Sequence, residues 1–227
     1  MRCGLFGKLP VKRDFIAEAV PRGFLQPFET WMQGAMGASR MALGSRWQDT
    51  YLQAPLWRFW LGASHCSGTV IGAFMPSIDG VGRYFPLTVM AMADEGRVIA
   101  PPIEDSQASW FDAVETFLLS TLDEGVGFDV VLAALEALPA PAQRQAAEGR
   151  DGVIAKPDGT IIVLSGDTDA DATLRRLQAA DDESLMGAGT FWWTIGGNEI
   201  KAIALSCRRL PDQQLFSGFL TGRFEAL

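Results

Sequence analysis

The chain has 227 residues, a formal net charge of −8 and a hydrophobic content of 48%. A chain of this length buries roughly 70% of its unfolded surface, and its charged residues are too few and too mixed in sign for a disordered protein. No apolar run reaches the roughly 18 to 20 residues of a membrane helix, and the first ten residues contain no signal-peptide core. Composition therefore predicts a globular, cytoplasmic protein.

Charge is distributed unevenly along the chain. Residues 1–93 carry nine Lys or Arg and five Asp or Glu, whereas the remainder carries ten and twenty-two. Because Lys and Arg do not cluster, a nucleic-acid or anionic-membrane binder is not indicated. The change of sign suggests two subregions, 1–100 and 101–227, with a hinge at Pro101-Pro102. The three cysteines are widely spaced and form no C-x-x-C pair, so neither a disulfide framework nor a cysteine zinc site is predicted.

The sequence of the first half predicts both strands and helices. A strand runs through Leu5 and Phe6, and apolar residues at helical spacing predict an amphipathic helix from Phe24 to near Gly44. Gly34 and Gly37 within this helix indicate a closely packed neighbour. The further predicted elements are a short helix over 45–53 and strands over 56–61, 69–75 and 87–93. The last strand is apolar on both faces, which predicts a central strand covered by helices.

The second half predicts three helices, a strand, a β-hairpin and a last short helix. The first helix is capped by Asp105 or Ser106 and stops at Gly125, and its apolar face is formed by Trp110, Phe111, Val114, Phe117, Leu118 and Leu122. The other elements are a helix over about 129–138, a strand over 161–164, an exposed helix over 169–180, a hairpin of 190–195 and 200–206 around Gly196-Gly197-Asn198, and a helix near 211–220.

This order of elements predicts an α/β fold: a mixed or antiparallel β-sheet flanked by helices on both faces, which is an α/β/α sandwich. The strands of the second half either extend the sheet of the first half or form their own. The pattern leaves both arrangements open.

The sequence contains no convincing catalytic motif. His65 is the one histidine and has no metal-ligand companion, and no G-x-S-x-G elbow is present. The segment from Gly4 to Lys8 resembles the end of a phosphate-binding loop, but its spacing fails and Leu9 replaces the required hydroxyl. We therefore predict no catalytic residue, no metal site and no cofactor.

One stretch carries more polar chemistry than a linker needs: Met75-Pro-Ser-Ile-Asp-Gly-Val-Gly-Arg-Tyr-Phe-Pro-Leu-Thr88. It leads into a predicted buried strand, and loops held on rigid strands often carry binding groups. The candidate binding residues are Lys8, Asp14, Ser77, Asp79 and Arg83. A structural interpretation competes with this one, because Arg83 can fasten the loop by pairing with Asp79 or Asp14.

Several motifs carry a family resemblance. They are Gly4-Leu-Phe-Gly-Lys-Leu-Pro10 with Asp14-Phe15, residues 27–31, Tyr51-Leu-Gln-Ala-Pro55 with Trp57-Arg58-Phe59, the stretch 75–88, and, more loosely, Thr190-Phe-Trp-Trp-Thr194 and Leu210-Pro211. Together they resemble the TagF family, also called ImpM, which is associated with bacterial type VI secretion. The motifs extend over the chain, so residues 1–227 are expected to form a single domain of this kind.

The resemblance implies regulation. TagF-like proteins are post-translational repressors of secretion assembly, and in some systems they bind the forkhead-associated scaffold protein of the apparatus. The family supplies no established catalytic residues. We therefore expect a cytoplasmic repressor that acts by protein–protein binding and is not an enzyme. Two alternatives stay open: a small-ligand sensor or enzyme whose site is built from the five polar residues, and a structural subunit of the apparatus.

Overall fold

The computed structural model describes residues 1–123, 125–146, 153–156, 159–162, 187–197 and 200–224. The predicted helix over 169–180 lies outside these residues, as do positions 163–164 of a predicted strand and Asn198 of the predicted turn. Within the described ranges, no helix is both long enough and apolar enough to cross a membrane.

The structure is organised around a seven-stranded sheet with the strand order β11-β10-β3-β4-β5-β1-β2. Every neighbouring pair of strands is antiparallel. The strands of this sheet are β1 (Cys3–Gly7), β2 (Ile16–Glu18), β3 (Trp57–Leu61), β4 (Val70–Met75), β5 (Leu87–Met92), β10 (Thr190–Thr194) and β11 (Ile203–Cys207). Two separate two-stranded ribbons are β6 (Arg97–Val98) with β7 (Arg144–Gln145), and β8 (Val153–Lys156) with β9 (Gly159–Ile162).

Helices cover both faces of the large sheet, which confirms the predicted fold class. They are α1 (Arg22–Leu43), α2 (Trp47–Leu52), α3 (Ala108–Ser120), α4 (Phe128–Glu136) and α5 (Phe216–Thr221). On one face, side chains of α1, α2 and α5 form a largely aromatic core with Phe59 and Trp192. On the other face, α3 and α4 form an aliphatic and aromatic core with Trp60 and Val89.

The hairpin of the second half extends the sheet of the first half. β10 pairs with β3 in a register that places Trp192 opposite Phe59. The predicted strand over 87–93 is interior, between β4 and β1, while β4 holds the middle position and all its residues are buried. The short edge strand β2 and the ribbon of β6 and β7 are not predicted by the sequence, because strands of two or three residues carry no readable period.

The helix α3 is shorter than predicted. It begins after Gln107, whose backbone is left-handed with a φ of 51°. Asp105 does not cap the helix itself, since its Oδ1 accepts the backbone N–H of Gln107 at 3.0 Å. The helix ends at Ser120, so the prediction that it continues to Gly125 is wrong. Leu122 therefore lies beyond the apolar face and is 50% exposed.

The two glycines of α1 differ in their surroundings. A Cβ atom on Gly34 would lie 2.3 Å from the Gln213 side chain, which confirms the predicted close neighbour. A Cβ atom on Gly37 would meet nothing within 4 Å, so the same prediction is wrong there.

The second strand of the predicted hairpin starts later than predicted. It begins at Ile203 instead of residue 200, because Gly197 and Ile200 form an isolated bridge inside the loop.

The segment at Pro101-Pro102 forms a turn. The Pro101 carbonyl accepts the backbone N–H groups of Glu104 at 2.9 Å and Asp105 at 3.1 Å. The hinge at this turn, the two subregions and the single domain stay predictions.

Trp192 offers a direct test of the contact between the two halves. It is fully buried, and its ring centroid lies 4.9 Å from that of Trp31 and 5.4 Å from that of Phe59. Trp192→Ala should lower the free energy of unfolding by about 3–5 kcal/mol, because a large cavity opens in the core. Urea unfolding measures this difference.

Ile195→Ala is the matched control, because Ile195 follows the same strand and is 68% exposed. Its effect should stay within about 0.5 kcal/mol. Equal effects of the two substitutions would contradict the assignment of Trp192 to the core.

Candidate functional site

The loop between β4 and β5 is closed by its own backbone. Ile78 and Tyr84 form an antiparallel bridge. The Asp79 N–H donates to the Arg83 carbonyl at 3.0 Å, and the Gly82 N–H donates to the Asp79 carbonyl at 2.9 Å. Gly82 has a φ of 81°, which glycine adopts without strain. The glycine and polar residues that mark this stretch in the sequence thus build a tight turn.

Asp79 is the centre of the loop. Its side chain has no exposed surface. Its Oδ1 accepts the backbone N–H groups of Val81 at 3.1 Å and Arg83 at 2.9 Å. Its Oδ2 receives Arg83 Nε at 2.7 Å and Lys8 Nζ at 2.9 Å. A buried carboxylate requires such compensation, because desolvation of an unpaired charge is costly.

The surroundings of Asp79 favour its charged form. Burial raises the pKa of this carboxyl. The hydrogen bond from the Arg83 N–H, the Lys8 ammonium, the Arg83 guanidinium and the Val81 N–H together lower the pKa by more than burial raises it. The net result is a pKa well below the usual range of an aspartate. Asp79 is therefore an anion at physiological pH and is unsuited to act as a general acid.

The same loop is fastened to the segment that follows β1. The Gly80 N–H donates to the Lys12 carbonyl at 2.8 Å, and Arg83 Nη2 donates to the Arg13 carbonyl. Together with the Lys8–Asp79 ion pair, these bonds join residues 8–13 to residues 79–83. We call the set Lys8, Asp79 and Arg83 the clasp.

Asp14 and Ser77 are not part of the clasp. Asp14 is exposed, and among the described residues it forms no ion pair. Arg83 pairs with Asp79, so of the two predicted partners Asp14 is the wrong one. Ser77 is 3% exposed, and its hydroxyl has no hydrogen-bond partner in the described part of the chain. Of the five candidate residues, the structure thus brings together three.

Tyr51 holds the loop at the backbone of Ser77 and is not among the candidate residues from the sequence. Its hydroxyl donates to the Ser77 carbonyl at 3.1 Å and accepts the Ser77 N–H at 3.0 Å. Its ring stacks on Trp47 with centroids 4.9 Å apart and meets Tyr84 edge to face at 5.6 Å. Burial raises the pKa of Tyr51, which keeps the hydroxyl protonated as the donor that this geometry requires.

A groove opens beside the clasp. It is open to solvent and has a volume of about 670 Å³. Its lining includes Arg40, Trp47, Gln48, Arg83 and Tyr84. The Arg40 guanidinium lies over the Trp47 ring, with Cζ 4.4 Å from the ring centroid. Of these residues only Arg83 is a candidate from the sequence. Tyr84 is its neighbour in the loop, whereas Arg40 comes from α1 and Trp47 and Gln48 come from α2, about 40 residues earlier in the chain.

His65 and Cys66 lie in surroundings that indicate a structural role. His65 Nε2 lies 2.5 Å from the Ala188 carbonyl oxygen. Burial raises the pKa of the Cys66 thiol to about 11, so the thiol is protonated and a poor nucleophile. Among the described residues, no three His, Cys, Asp or Glu side chains are grouped to hold a metal ion.

Comparison with known proteins identifies the family. The family model described as TagF N-terminal domain, type VI secretion system-associated, matches residues 4–138. The solved structure of PA0076 from Pseudomonas aeruginosa PAO1 is similar to this chain, with 31% sequence identity and a TM-score of 0.78. The alignment covers 99% of this chain and 96% of that one. No curated protein matches this chain.

The chain therefore belongs to the TagF family of type VI secretion-associated proteins. The family match includes β1 from Gly4 onward, the loop of the clasp and α1 to α4. The predicted family and fold class are both confirmed.

The clasp predicts a pH-dependent stability. Since the folded-state pKa of Asp79 lies below the unfolded value of about 3.9, the charged cluster stabilises the fold above about pH 4 and loses this effect as the pH falls toward the folded-state value. Asp79→Asn should therefore be less stable than the wild type near neutral pH, and the difference should shrink below about pH 4. Urea unfolding across this pH range measures it.

Asp14→Asn is the control for a carboxylate outside the clasp. It should change the free energy of unfolding by no more than about 0.5 kcal/mol at any pH in the series. A wild type and an Asp79→Asn variant that lose stability in parallel below about pH 4 would count against the clasp.

Tyr51→Phe should lower the free energy of unfolding by about 1–3 kcal/mol, because it removes the hydroxyl that bonds the buried Ser77 backbone. Tyr84→Phe is the matched control, since Tyr84 belongs to the same aromatic group and its hydroxyl makes no hydrogen bond to the described residues. Thermal unfolding of the two variants side by side distinguishes the buried hydrogen bonds from a general loss of hydroxyl groups.

Proposed function

We propose that this protein is a cytoplasmic post-translational regulator that represses type VI secretion by binding a component of the apparatus. The observation that carries the proposal is membership of the TagF family, which rests on the match over residues 4–138 and on 31% identity to PA0076 along nearly the whole chain. The proposed partner is the forkhead-associated scaffold protein of the secretion system.

The state of the polar candidates supports binding over catalysis. Asp79 has both oxygens occupied by four donors, and Lys8 is 12% exposed within the same cluster. Ser77 is buried away from solvent, and Asp14 lies apart from the clasp. An enzyme needs an accessible nucleophile or a proton-transfer group with a suitable pKa. Lys8, Ser77 and Asp79 are largely or fully buried, and Asp14 lies apart from them, so we assign no catalytic role to the five residues.

The fold suits a protein that acts by binding a partner and not by catalysing a reaction. The clasp and Tyr51 hold the loop of residues 77–85 in one backbone arrangement on a rigid sheet. A preorganised surface binds a partner with a smaller loss of conformational entropy than a mobile one. A repressor of this kind removes a component from assembly in proportion to the complex it forms, and no turnover is required.

Deletion of the gene tests the direction of regulation. We expect secretion of a type VI substrate to increase several-fold, because a repressor is removed. Loss of secretion would instead identify a structural subunit. Substrate in the culture medium is quantified by immunoblot, with a strain that lacks the apparatus as the background.

Complementation supplies the internal control. The wild-type gene should return secretion to its original level, whereas the core variant Trp192→Ala should fail at temperatures where it is unfolded. Co-purification of the tagged protein with the forkhead-associated scaffold tests the partner directly.

A further inference from the structure

We propose that the groove lined by Arg40, Trp47, Gln48, Arg83 and Tyr84, here called the arginine groove, binds an anionic side chain on an extended polypeptide segment of the partner. The proposal deepens the proposed function and rests on it for the origin of that segment.

The charge of the arginine groove favours an anion. Two arginines line it, and none of its lining residues is acidic. Arg83 shares Asp79 with Lys8, so two cations face a single carboxylate and the clasp keeps one positive charge. Arg40 adds another, since no carboxylate of the described residues lies within ion-pair distance of it. This local surplus contrasts with the net charge of −8 of the whole chain.

Both guanidinium groups are held in place before any ligand arrives. The Arg40 guanidinium lies over the ring of Trp47, which itself is only 5% exposed and donates its indole N–H to the Ser39 hydroxyl at 2.8 Å. Arg83 is oriented by Asp79 and by the Arg13 carbonyl, yet its side chain is 57% exposed. The fork of Arg40 makes no hydrogen bond to the described residues, so it can bind carboxylate or phosphate oxygens in a bidentate manner with little further loss of entropy. Arg83 already uses Nε and Nη2 within the clasp and can add a donor from Nη1.

The shape of the arginine groove favours a polypeptide over a small molecule. Small ligands are held in enclosed clefts that bury most of their surface. This groove is open, and its volume of about 670 Å³ far exceeds that of one carboxylate or phosphate group. Gly44 and Gly82 also line it, and a Cβ atom on either would meet nothing within 4 Å. An extended backbone can therefore lie across the groove while its anionic side chain reaches the arginines.

Two labelled peptides provide the direct probe: hexaglutamate, and a glycine-rich peptide with a single phosphoserine. Fluorescence polarisation measures their binding to the wild type and to Arg40→Glu. We expect Arg40→Glu to weaken binding of at least one peptide by about tenfold or more, because a charge-assisted contact is replaced by repulsion. The peptide with the larger loss identifies carboxylate or phosphate as the ligand group.

Two further variants separate local recognition from general attraction. Arg46→Glu makes the same change of charge at an exposed residue outside the groove lining and should alter the Kd by no more than about twofold. Arg40→Lys keeps the charge but loses the planar fork, so its Kd should fall between those of the wild type and Arg40→Glu. Thermal unfolding of each variant shows that it is folded. Equal Kd values for Arg40→Glu and Arg46→Glu with both peptides would overturn the proposal.

The scaffold protein distinguishes this proposal from the proposed function. If the wild type co-purifies with the scaffold and Arg40→Glu does so undiminished, the arginine groove is not the partner surface and the inference is wrong. If the peptides bind in an Arg40-dependent manner but the wild type does not co-purify with the scaffold, the groove stands and the proposed partner is wrong.

Discussion

The pairing of β10 with β3 is the contact on which the rest of the structure depends. It places Trp192 against Phe59, Trp31 and Phe219, which come from β3, α1 and α5. The Trp192 indole N–H donates to Thr190 Oγ1 at 2.9 Å, so the buried ring leaves no unpaired donor. Without this strand, β3 would be an exposed sheet edge and α1 would lose one wall of its core.

The aromatic residues of α2 determine where the arginine groove lies. The chain leaves α1 at Gly44, and Trp47 and Tyr51 then pack against Tyr84 in the loop after β4. This contact brings Arg40, at the end of α1, to the loop that contains Arg83. The positive character of the groove thus arises from residues about 40 positions apart, although both belong to the basic half of the chain.

Hydrophobic periodicity and turn-forming residues predict most of the helices and strands, but not the contacts between distant parts of the chain. The apolar pattern locates α1, β3, β4 and β5 to within about two residues, because buried positions repeat at the period of each element. It cannot predict the end of α3 at Ser120 or the start of β11 at Ile203, which depend on local backbone hydrogen bonds. The candidate Asp79–Arg83 pair is foreseen because it is local. The support from Tyr51 is missed, since its two hydrogen bonds cross 26 residues to the backbone of Ser77.

The strand order has a consequence for the order of folding. β1, β3, β4 and β5 lie within the first 92 residues, but the partner of β3 is supplied by β10, about 130 residues later. Closing such a loop carries an entropic cost before the contact returns any stability, so long-range pairing of this kind is slow. Until it forms, a nascent chain presents the backbone edge of β3 unpaired, and Trp57 lacks its later contact with Phe219. The interval between the synthesis of β5 and that of β10 is therefore the period in which this protein is most exposed to aggregation.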